Sequence, residues 1–380
     1  MDIKQWIKAE ACSLGFPLAG ITTPDPPRHW NRFEAWIAAG RHASMAYLSA
    51  PASLEKRAAP NLVLSTSRSI LSLGMPYSPS NIPSNIKEIP TGTPIGRVAS
   101  YAWGDDYHNV IPGRLGLLVE RIAEQLGRHV TWRAYTDTGP ILERDLAQRA
   151  GLGWAGKNTC LIHREFGSYF FLAELFLDIE LEPDKPFEAY HCGTCQRCIE
   201  ACPTGCIHDD RTLDASRCIS YQTIENKEPI PHPLRPFLGN WVFGCDICQQ
   251  VCPWNRFALT NPIEDAFQAR PDVAAPRLLD ELRLDARGFN QKFHLSPVRR
   301  AKRRGYLRNV CIALGNSGDD SVVPALLDIV DTEPEGLIRG AAAWAAHRLN
   351  PETAQSRLKQ AADSDPDPLV REDIRITLGS

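Results

Sequence analysis

Cysteines are the residues of this sequence whose spacing most directly suggests chemistry, and seven of the twelve fall in two short runs. The first run, HCGTCQRCIEACP at 191–203, has the spacing C-x2-C-x2-C-x3-C-P, and the second, CDICQQVCP at 245–253, has C-x2-C-x3-C-P. Thiolates are soft ligands, and this is the spacing with which bacterial ferredoxins hold 4Fe–4S clusters. The two runs therefore predict two such clusters.

The ligands are expected to cross between the runs, because the cysteine before each proline points away and binds the other cluster. A regular repeat would place the first cysteine of the second run at Val242, so the second cluster needs a ligand from elsewhere. Cys218, in the independent segment RCISYQ, is favoured, and Cys206 is the alternative. The predicted sets are Cys192, Cys195, Cys198 and Cys252 for the first cluster, and Cys202, Cys218, Cys245 and Cys248 for the second.

The composition favours metal ligation over disulfide bonds. The chain has 380 residues, of which 43% are hydrophobic, which is ordinary for a globular protein. The N-terminus MDIKQWIKAE lacks a signal-peptide core, and the most apolar run, YFFLAELFL at 169–177, is far shorter than the roughly 20 residues that span a bilayer. We therefore expect a cytoplasmic monomer without a membrane segment, in which thiols stay reduced. Zinc is the weaker alternative, because zinc sites do not need paired Cys-Pro ends.

Residues 1–184 mix helix and strand patterns and are predicted to form an α/β domain. The glycine-rich stretch GLGWAG at 151–156 follows a helix rather than a strand, so a Rossmann nucleotide site is not expected there. A long loop is predicted at 76–94. Helices are predicted at 3–14, 30–39, 115–126 and 141–150, and strands at 69–75 and 129–135.

Two further domains are predicted downstream. Residues 185–265 would form a ferredoxin-like domain that folds around its clusters rather than around a large apolar core. Residues 276–380 contain an internal repeat, in which Arg308, Arg339 and Arg371 recur at spacings of 31 and 32, each after an aliphatic residue. This period predicts helix pairs of the HEAT kind, with an irregular helical bundle as the alternative.

Three segments together resemble epoxyqueuosine reductases: DTGPILERDLAQRAGLGWAGKNTCLI at 137–162, the cysteine block with RCISYQTIENK, and SPVRRAKRRGYLRNVCIALGN at 296–316. The resemblance extends over nearly the whole chain. It implies a cobalamin-dependent iron–sulfur enzyme, related to reductive dehalogenases, that reduces epoxyqueuosine to queuosine at the wobble position of tRNA anticodons. It also implies that electrons from an external low-potential donor pass through two 4Fe–4S clusters to cobalamin in the N-terminal domain, and then to the epoxide.

The resemblance implies that Asp137 is the proton donor. Its position agrees, because it follows a predicted strand and precedes a predicted helix, where α/β domains place ligand-handling groups. The alternative is that Asp137 merely caps that helix, since Asp is a common N-cap. With the resemblance in view, the candidates to line the cobalamin, each of which could equally be a surface or turn residue, are Arg57, Ala102, Asp137, Lys157 and Asn158.

A basic run, VRRAKRRGYLR at 298–308, is the predicted tRNA-binding surface. The net charge of the whole chain is only −3, so a run of cations at one place forms a focused phosphate-binding patch. A solvated helix face is the alternative. The predicted contacts are Arg299, Arg300, Lys302, Arg303 and Arg304, and Trp103, Tyr107 and Tyr221 are candidates to stack on a flipped-out base.

Two other functions compete with tRNA modification. A corrinoid iron–sulfur reductase of a small halogenated or epoxide substrate would not need the basic helical repeat. An electron-transfer subunit would dock through that repeat and would bind no cobalamin.

Overall fold

The computed structural model describes residues 2–77, 92–260 and 264–379, so most of the predicted loop at 76–94 lies outside the described residues. The chain divides into two compact units. Unit 1 comprises Met1–Asn81, Gly104–Ser216 and Ile247–Gln268, and unit 2 comprises Ile82–Trp103, Arg217–Asp246 and Ala269–Ser380. The segment 185–265 is therefore divided between both units, and the three domain boundaries stay predictions.

Helices and short strands are joined by loops and 3-10 turns. The helices are α1 Ile3–Ser13, α2 Trp30–Ala38, α3 Ala46–Ser49, α4 Pro51–Ala58, α5 Tyr107–Leu126, α6 Glu143–Arg149, α7 Arg197–Glu200, α8 Ile219–Ile224, α9 Ile247–Gln250, α10 Pro271–Ala274, α11 Leu278–Glu281, α12 Ala286–Lys292, α13 Lys302–Gly315, α14 Val323–Thr332, α15 Gly336–Leu349, α16 Pro351–Ser364 and α17 Pro368–Leu378. The strands are β1 Leu18–Thr22, β2 Ser69–Pro76, β3 Arg97–Val98, β4 Trp132–Tyr135, β5 Trp154–Ala155, β6 Leu161–Ile162, β7 Phe170–Leu177 and β8 Trp241–Phe243.

Unit 1 is built on a four-stranded sheet in the order β1-β2-β7-β4, and each neighbouring pair is antiparallel. Both central strands, β2 and β7, are mainly apolar and are buried almost throughout, as expected for strands covered on both faces. The predicted strand at 69–75 is thus confirmed. The predicted α/β arrangement is corrected to α+β, because α/β folds have parallel strands and hydrophobic patterns carry no strand direction.

Of the four helices predicted in unit 1, three begin and end close to the predicted residues, and α5 is the exception. α5 begins at Tyr107 rather than near 115, because Asp106 accepts a hydrogen bond from the His108 N–H and caps the helix. It ends at Gly127, which has the left-handed φ of 61° that glycine tolerates. The early start brings the side chains of the first turn of α5 into the candidate site.

Unit 2 contains the predicted helical repeat, formed by the successive helices α13 to α17 that pack on one another. The recurring arginines explain the period. Arg339 donates to the carbonyls of Glu333 and Pro334 at the end of α14 and forms a bidentate pair with Asp365, while Arg371 donates to the Asp365 carbonyl after α16. Arg339 and Arg371 thus each donate to a carbonyl just past the end of a helix. No helix in the described ranges combines the length and apolarity needed to cross a bilayer.

Candidate functional site

Asp137 lies in the turn between β4 and α6, and its backbone is unusual. Its φ is 60°, in the left-handed region that non-glycine residues seldom adopt, and 69% of its side chain is exposed. The N-cap of α6 is Leu142, without a side-chain capping bond, so the helix-capping alternative for Asp137 is wrong. A strained, exposed carboxyl at a strand end is a feature of functional sites.

The first turn of α5 orients the Asp137 carboxyl. The hydroxyl of Tyr107 donates to Asp137 Oδ2 at 2.9 Å, and the ring of Tyr107 stacks on Phe171 with 4.3 Å between centroids. His108 Nε2 lies 3.8 Å from Asp137 Oδ2, and its Nδ1 lies 2.7 Å from Asp106 Oδ1. The run Asp-Tyr-His at 106–108 is the sequence feature that could have indicated these polar side chains. Their contact with Asp137 could not be predicted, because it depends on the fold.

Glu143, the first residue of α6, holds the Asp137 turn in place. Its Oε1 accepts a hydrogen bond of 2.6 Å from the Asp137 N–H. Burial and the nearby Asp137 carboxyl raise the pKa of Glu143 to about 8, whereas Arg144 and Arg57 act to lower it. Sequence analysis missed Glu143, because an acidic residue in the first turn of a helix is common on protein surfaces and does not by itself indicate a site.

Arg57, on α4, belongs to the same group of side chains. It is buried, and its guanidinium lies 5.7 Å from the centre of the Phe33 ring. Burial lowers the pKa of Arg57, while Tyr47 and Glu143 act to raise it. Two of the predicted site residues, Arg57 and Asp137, are therefore both close enough to Glu143 to act on its ionisation.

Helices α2, α3 and α4, all within the described residues, place half-buried aromatic side chains next to Arg57. Arg57 is their one buried residue. On α2, Trp30, Phe33 and Trp36 form a row with 5.8 and 6.0 Å between successive ring centres. Aromatic rings that lie in a row and are not buried form a surface suited to a large flat ligand.

Two other predicted cofactor residues are engaged inside the protein. Asn158 is buried, its Nδ2 donates to the Cys248 carbonyl at 3.4 Å, and its Oδ1 accepts from the Cys160 N–H at 3.3 Å. Ala102 has no exposed surface in a 3-10 turn. Neither side chain is exposed to a cofactor, and we remove both residues from the predicted cobalamin contacts. Lys157 is half-buried and stays a candidate.

The cysteines of the first predicted cluster come together from two segments of unit 1. Helix α7 of the first run packs against α9 of the second. Burial, with the thiols of Cys192 and Cys198 nearby, raises the pKa of Cys252 to about 11. Within residues 2–77, 92–260 and 264–379, no three His, Cys, Asp or Glu side chains are placed to share one metal ion; the thiolates of a cubane each bind a different iron. The proximity of Cys252 to the first run supports the predicted crossing.

The second predicted cluster depends on the choice between Cys206 and Cys218. Cys206 is buried with its Sγ 3.5 Å from Cys202 Sγ, and this hydrogen bond lowers the pKa of Cys202 to about 5. Two sulfurs so close cannot each bind a different iron. In unit 2, Cys218 precedes α8 and Cys245 follows β8, which pack side by side. Cys218 therefore stays the predicted ligand.

The basic run does not form one straight helix. A 3-10 turn covers Pro297–Ala301, and Lys302, with φ of 57°, separates it from the body of α13. Arg303 forms two hydrogen bonds with Glu333, of 2.9 and 2.7 Å, and is only 20% exposed. The prediction that Arg303 contacts a phosphate is therefore corrected: its guanidinium is already paired with Glu333 and is not free to bind a phosphate. The cations of the run with exposed side chains are Arg299, Arg300, Lys302 and Arg304.

Of these exposed cations, Arg300 also has an internal partner. Its guanidinium donates to both carboxylate oxygens of Glu225 at 2.9 Å, yet 58% of the side chain stays exposed. Two of the three stacking candidates are engaged as well, since the indole N–H of Trp103 donates to the Val98 carbonyl and Tyr107 binds Asp137. Tyr221 is half-buried.

Three family models match the chain. The model described as "Epoxyqueuosine reductase QueG, DUF1730" matches residues 57–138, "4Fe-4S double cluster binding domain" matches 191–255, and "HEAT repeats" matches 299–379. The second and third agree with the predicted clusters and with the predicted repeat.

Proteins of known name match over most of the chain. The epoxyqueuosine reductase of Pseudomonas aeruginosa is 40% identical over 347 residues, which cover 91% of this chain and 93% of that protein. A crystal structure of epoxyqueuosine reductase with an epoxyqueuosine-modified tRNA-Tyr stem loop is 31% identical, has a TM-score of 0.91, and matches over 99% of this chain and 98% of that chain. The epoxyqueuosine reductase structure from Streptococcus thermophilus is 30% identical, with a TM-score of 0.88 over 100% of this chain and 99% of that one.

Proposed function

The chain belongs to the epoxyqueuosine reductase family, and we propose that it reduces the epoxide of epoxyqueuosine to give queuosine at the wobble position of tRNA anticodons. The observation that carries this proposal is 40% identity to the Pseudomonas aeruginosa enzyme over 91% of the chain. The similarity to a complex with a modified stem loop supports a tRNA substrate. A tRNA substrate agrees with action in the cytoplasm, and we propose a monomer that takes electrons from an external low-potential donor.

The described residues fit the cofactors that the family implies. Two 4Fe–4S clusters would be held by the cysteines that α7, α9 and the segments around α8 and β8 present: Cys192, Cys195, Cys198 and Cys252, and Cys202, Cys218, Cys245 and Cys248. Cobalamin would lie against the half-buried aromatic row of α2, near Arg57 and Asp137. The fit rests on a row of half-buried rings next to a buried cation and an exposed carboxyl.

Removal of the epoxide oxygen as water consumes two electrons and two protons. When bound, the clusters and cobalamin would supply single electrons and a low-valent, nucleophilic cobalt. Asp137 would hold a proton on its exposed carboxyl and donate it to the epoxide oxygen. Tyr107, through its 2.9 Å hydrogen bond, would keep that carboxyl oriented, and Glu143 would fix the turn that carries it.

The tRNA would be held by phosphate contacts of the exposed basic run. Changing Lys302 to Ala should reduce the slope of log affinity against log salt by roughly 0.7 to 1, because each phosphate contact releases about one counterion. The triple change of Arg299, Lys302 and Arg304 should reduce it by about two to three. Binding measured across a salt titration tests this.

Matched variants make the test specific. Lys359→Ala removes an exposed lysine from α16 of the same unit and should leave the slope unchanged. Arg303→Ala should weaken folding rather than binding, because it leaves Glu333 without its guanidinium partner. Equal slopes for wild type and the triple variant would contradict the proposed phosphate contacts.

The small-substrate alternative can be separated by substrate size. We expect the loaded protein, under anaerobic conditions with a chemical reductant, to reduce epoxyqueuosine in an anticodon stem loop much faster than the free nucleoside at the same concentration. The stem loop adds phosphate contacts that position the base. Equal rates for the two substrates would favour a reductase of small molecules.

A further inference from the structure

Two adjacent polar residues of α13, Arg308 and Asn309, are buried at the start of the helical repeat. Arg308 is 1% exposed and Asn309 is fully buried. The guanidinium makes one hydrogen bond from Nε and two from each terminal nitrogen, which uses all of its N–H donors. The Asn309 amide donates to the carbonyls of Thr223 and Val242, both at 2.8 Å. A buried network with every donor used fixes the segments that it joins.

Arg308 contacts a more distant part of the chain than the other two arginines of the repeat. Arg339 and Arg371 donate to carbonyls five or six residues before their own positions. Arg308 instead donates to three carbonyls that lie 80 to 86 residues earlier, in the last turn of α8 and just after it: Gln222, Asn226 and Glu228. The first arginine of the repeat therefore attaches α13 to the α8 segment.

Hydrogen bonds lead from Arg308 through α8 to Cys218. Gln222 accepts a hydrogen bond from Arg308 at its carbonyl and donates its own N–H to the Cys218 carbonyl at 2.9 Å. Cys218 is the residue just before α8. Asn309 donates to the next carbonyl, that of Thr223. Because the last carbonyls of a helix have no partner within it, these two side chains hold α8 at the end opposite Cys218.

A second route leads from Asn309 to Cys245. The Asn309 amide joins α8 to β8, because its two acceptors lie on these two elements. The Thr223 hydroxyl in turn accepts the N–H of Gly244 at 2.9 Å, and Gly244 immediately precedes Cys245. The segments that carry Cys218 and Cys245, both in unit 2, are thus held to each other and to α13.

We propose that Arg308 and Asn309 are positioning residues for the second 4Fe–4S cluster, which set the separation of Cys218 and Cys245. This inference rests on the proposed function and on its ligand set for that cluster. Partners that orient the ligands of a metal site contribute to its affinity although they do not touch the metal. The first helix of the repeat then has a task in holding a redox centre, besides the proposed tRNA contact of its basic run.

Asn309→Ala is the direct test, since it removes both bonds between α13 and the ligand segments. We expect about half of the iron, four of about eight atoms per chain, to pass to a chelator about 10- to 100-fold faster than in the wild type. The midpoint potential of the second cluster should also rise. Water admitted beside a loosened cluster favours its more highly charged reduced form. Redox titration followed by electron paramagnetic resonance measures this, and the second cluster is the one whose signal Cys218→Ala lacks.

Asn316→Ala is the matched control. Asn316, at the end of α13, also donates its amide to two carbonyls, those of Arg235 at 2.9 Å and Gly239 at 3.1 Å. These bonds lie outside the two routes to Cys218 and Cys245. The variant should lose stability but keep the wild-type rate of iron release and the wild-type potential. Equal effects of Asn309→Ala and Asn316→Ala on the iron would mean that both residues act only on folding, and would overturn the proposal.

Thr223→Val is a milder change that decides the question even if Asn309→Ala does not fold. Valine has nearly the same shape as threonine but leaves the Gly244 N–H, next to Cys245, without its acceptor. We expect about tenfold faster release of the second cluster's iron and a shifted potential, in a protein with a wild-type far-ultraviolet circular dichroism spectrum. A folded Thr223→Val with wild-type iron release and potential would overturn the proposal.

These measurements need neither tRNA nor turnover, so the two proposals can fail separately. Active reductase whose iron release is the same in the wild type and in both network variants would overturn the positioning role and leave the proposed function standing. A protein in which the network variants lose the second cluster, but which never reduces epoxyqueuosine in tRNA, would overturn the proposed function and leave the positioning role standing.

Discussion

Asp137→Asn is expected to lose turnover by about 100- to 10,000-fold, the range in which general acids contribute, while it keeps its iron, its cobalamin and its affinity for tRNA. An asparagine at this position can accept the hydrogen bond from Tyr107 but cannot donate an acidic proton. Asparagine also tolerates the φ of 60° found at Asp137. The loss should therefore reflect the missing proton and not a collapsed turn. Single-turnover rates under anaerobic conditions measure it.

Two variants serve as controls for this result. Tyr107→Phe removes the hydrogen bond to Asp137 but leaves the ring stacked on Phe171, so we expect a smaller loss, about tenfold, from poorer orientation. Asp363→Asn, at an exposed position on α16, should have wild-type turnover. Near wild-type turnover for Asp137→Asn would mean that another group supplies the proton.

Cys218→Ala is expected to remove one of the two clusters, so that iron falls from about eight to about four atoms per chain, and to abolish turnover. A cubane held by three thiolates instead of four is open to solvent and loses its iron readily. Iron analysis and electron paramagnetic resonance of anaerobically prepared protein measure the loss.

Cys206→Ala is the matched control, since Cys206 lies within the same cysteine-rich region and touches Cys202. We expect its iron content to be unchanged, with a small loss of stability, because the buried sulfur is replaced by a methyl group. If Cys206→Ala loses iron and Cys218→Ala keeps it, the ligand assignment is reversed.

The acid–base chemistry of Glu143 also links stability to pH. The folded chain keeps the Glu143 proton up to about pH 8, whereas the unfolded chain releases it near the ordinary value of 4.5. The folded state therefore binds more protons between these values, and its stability should fall as pH rises from about 4.5 towards 8. The free energy of unfolding, measured with a denaturant at several pH values, should lack this part of the decline in Glu143→Gln.

The sequence predicted best what depends on local spacing. Cysteine ligands three or four residues apart are visible in one segment, and the arginine period of 31 and 32 residues repeats a local arrangement of helix ends. The double-cluster and HEAT matches agree with both. The central strand β2 was equally clear, because a short, mainly apolar run is the pattern of a buried strand.

What the sequence did not predict depends on contacts between distant residues. The apolar run of β7 contains Glu174, whose buried carboxyl accepts a hydrogen bond from Ser72 of β2. This contact joins residues that are 102 positions apart and could not be predicted from the sequence. Arg303 looked like any other cation of the basic run until Glu333, 30 residues later, paired with it. Strand direction was also hidden, so the sequence predicted an α/β domain where the structure has an antiparallel sheet.

The central claim is tested most directly by measuring whether the protein removes the epoxide oxygen from epoxyqueuosine in tRNA. The purified protein, loaded with iron, sulfide and cobalamin, would be incubated anaerobically with a low-potential reductant and tRNA that contains epoxyqueuosine. The tRNA would then be digested, and its nucleosides would be identified and quantified by mass spectrometry. We predict that epoxyqueuosine disappears and that queuosine, lighter by one oxygen, appears in equal amount. Unchanged epoxyqueuosine in the presence of fully loaded protein would contradict the account.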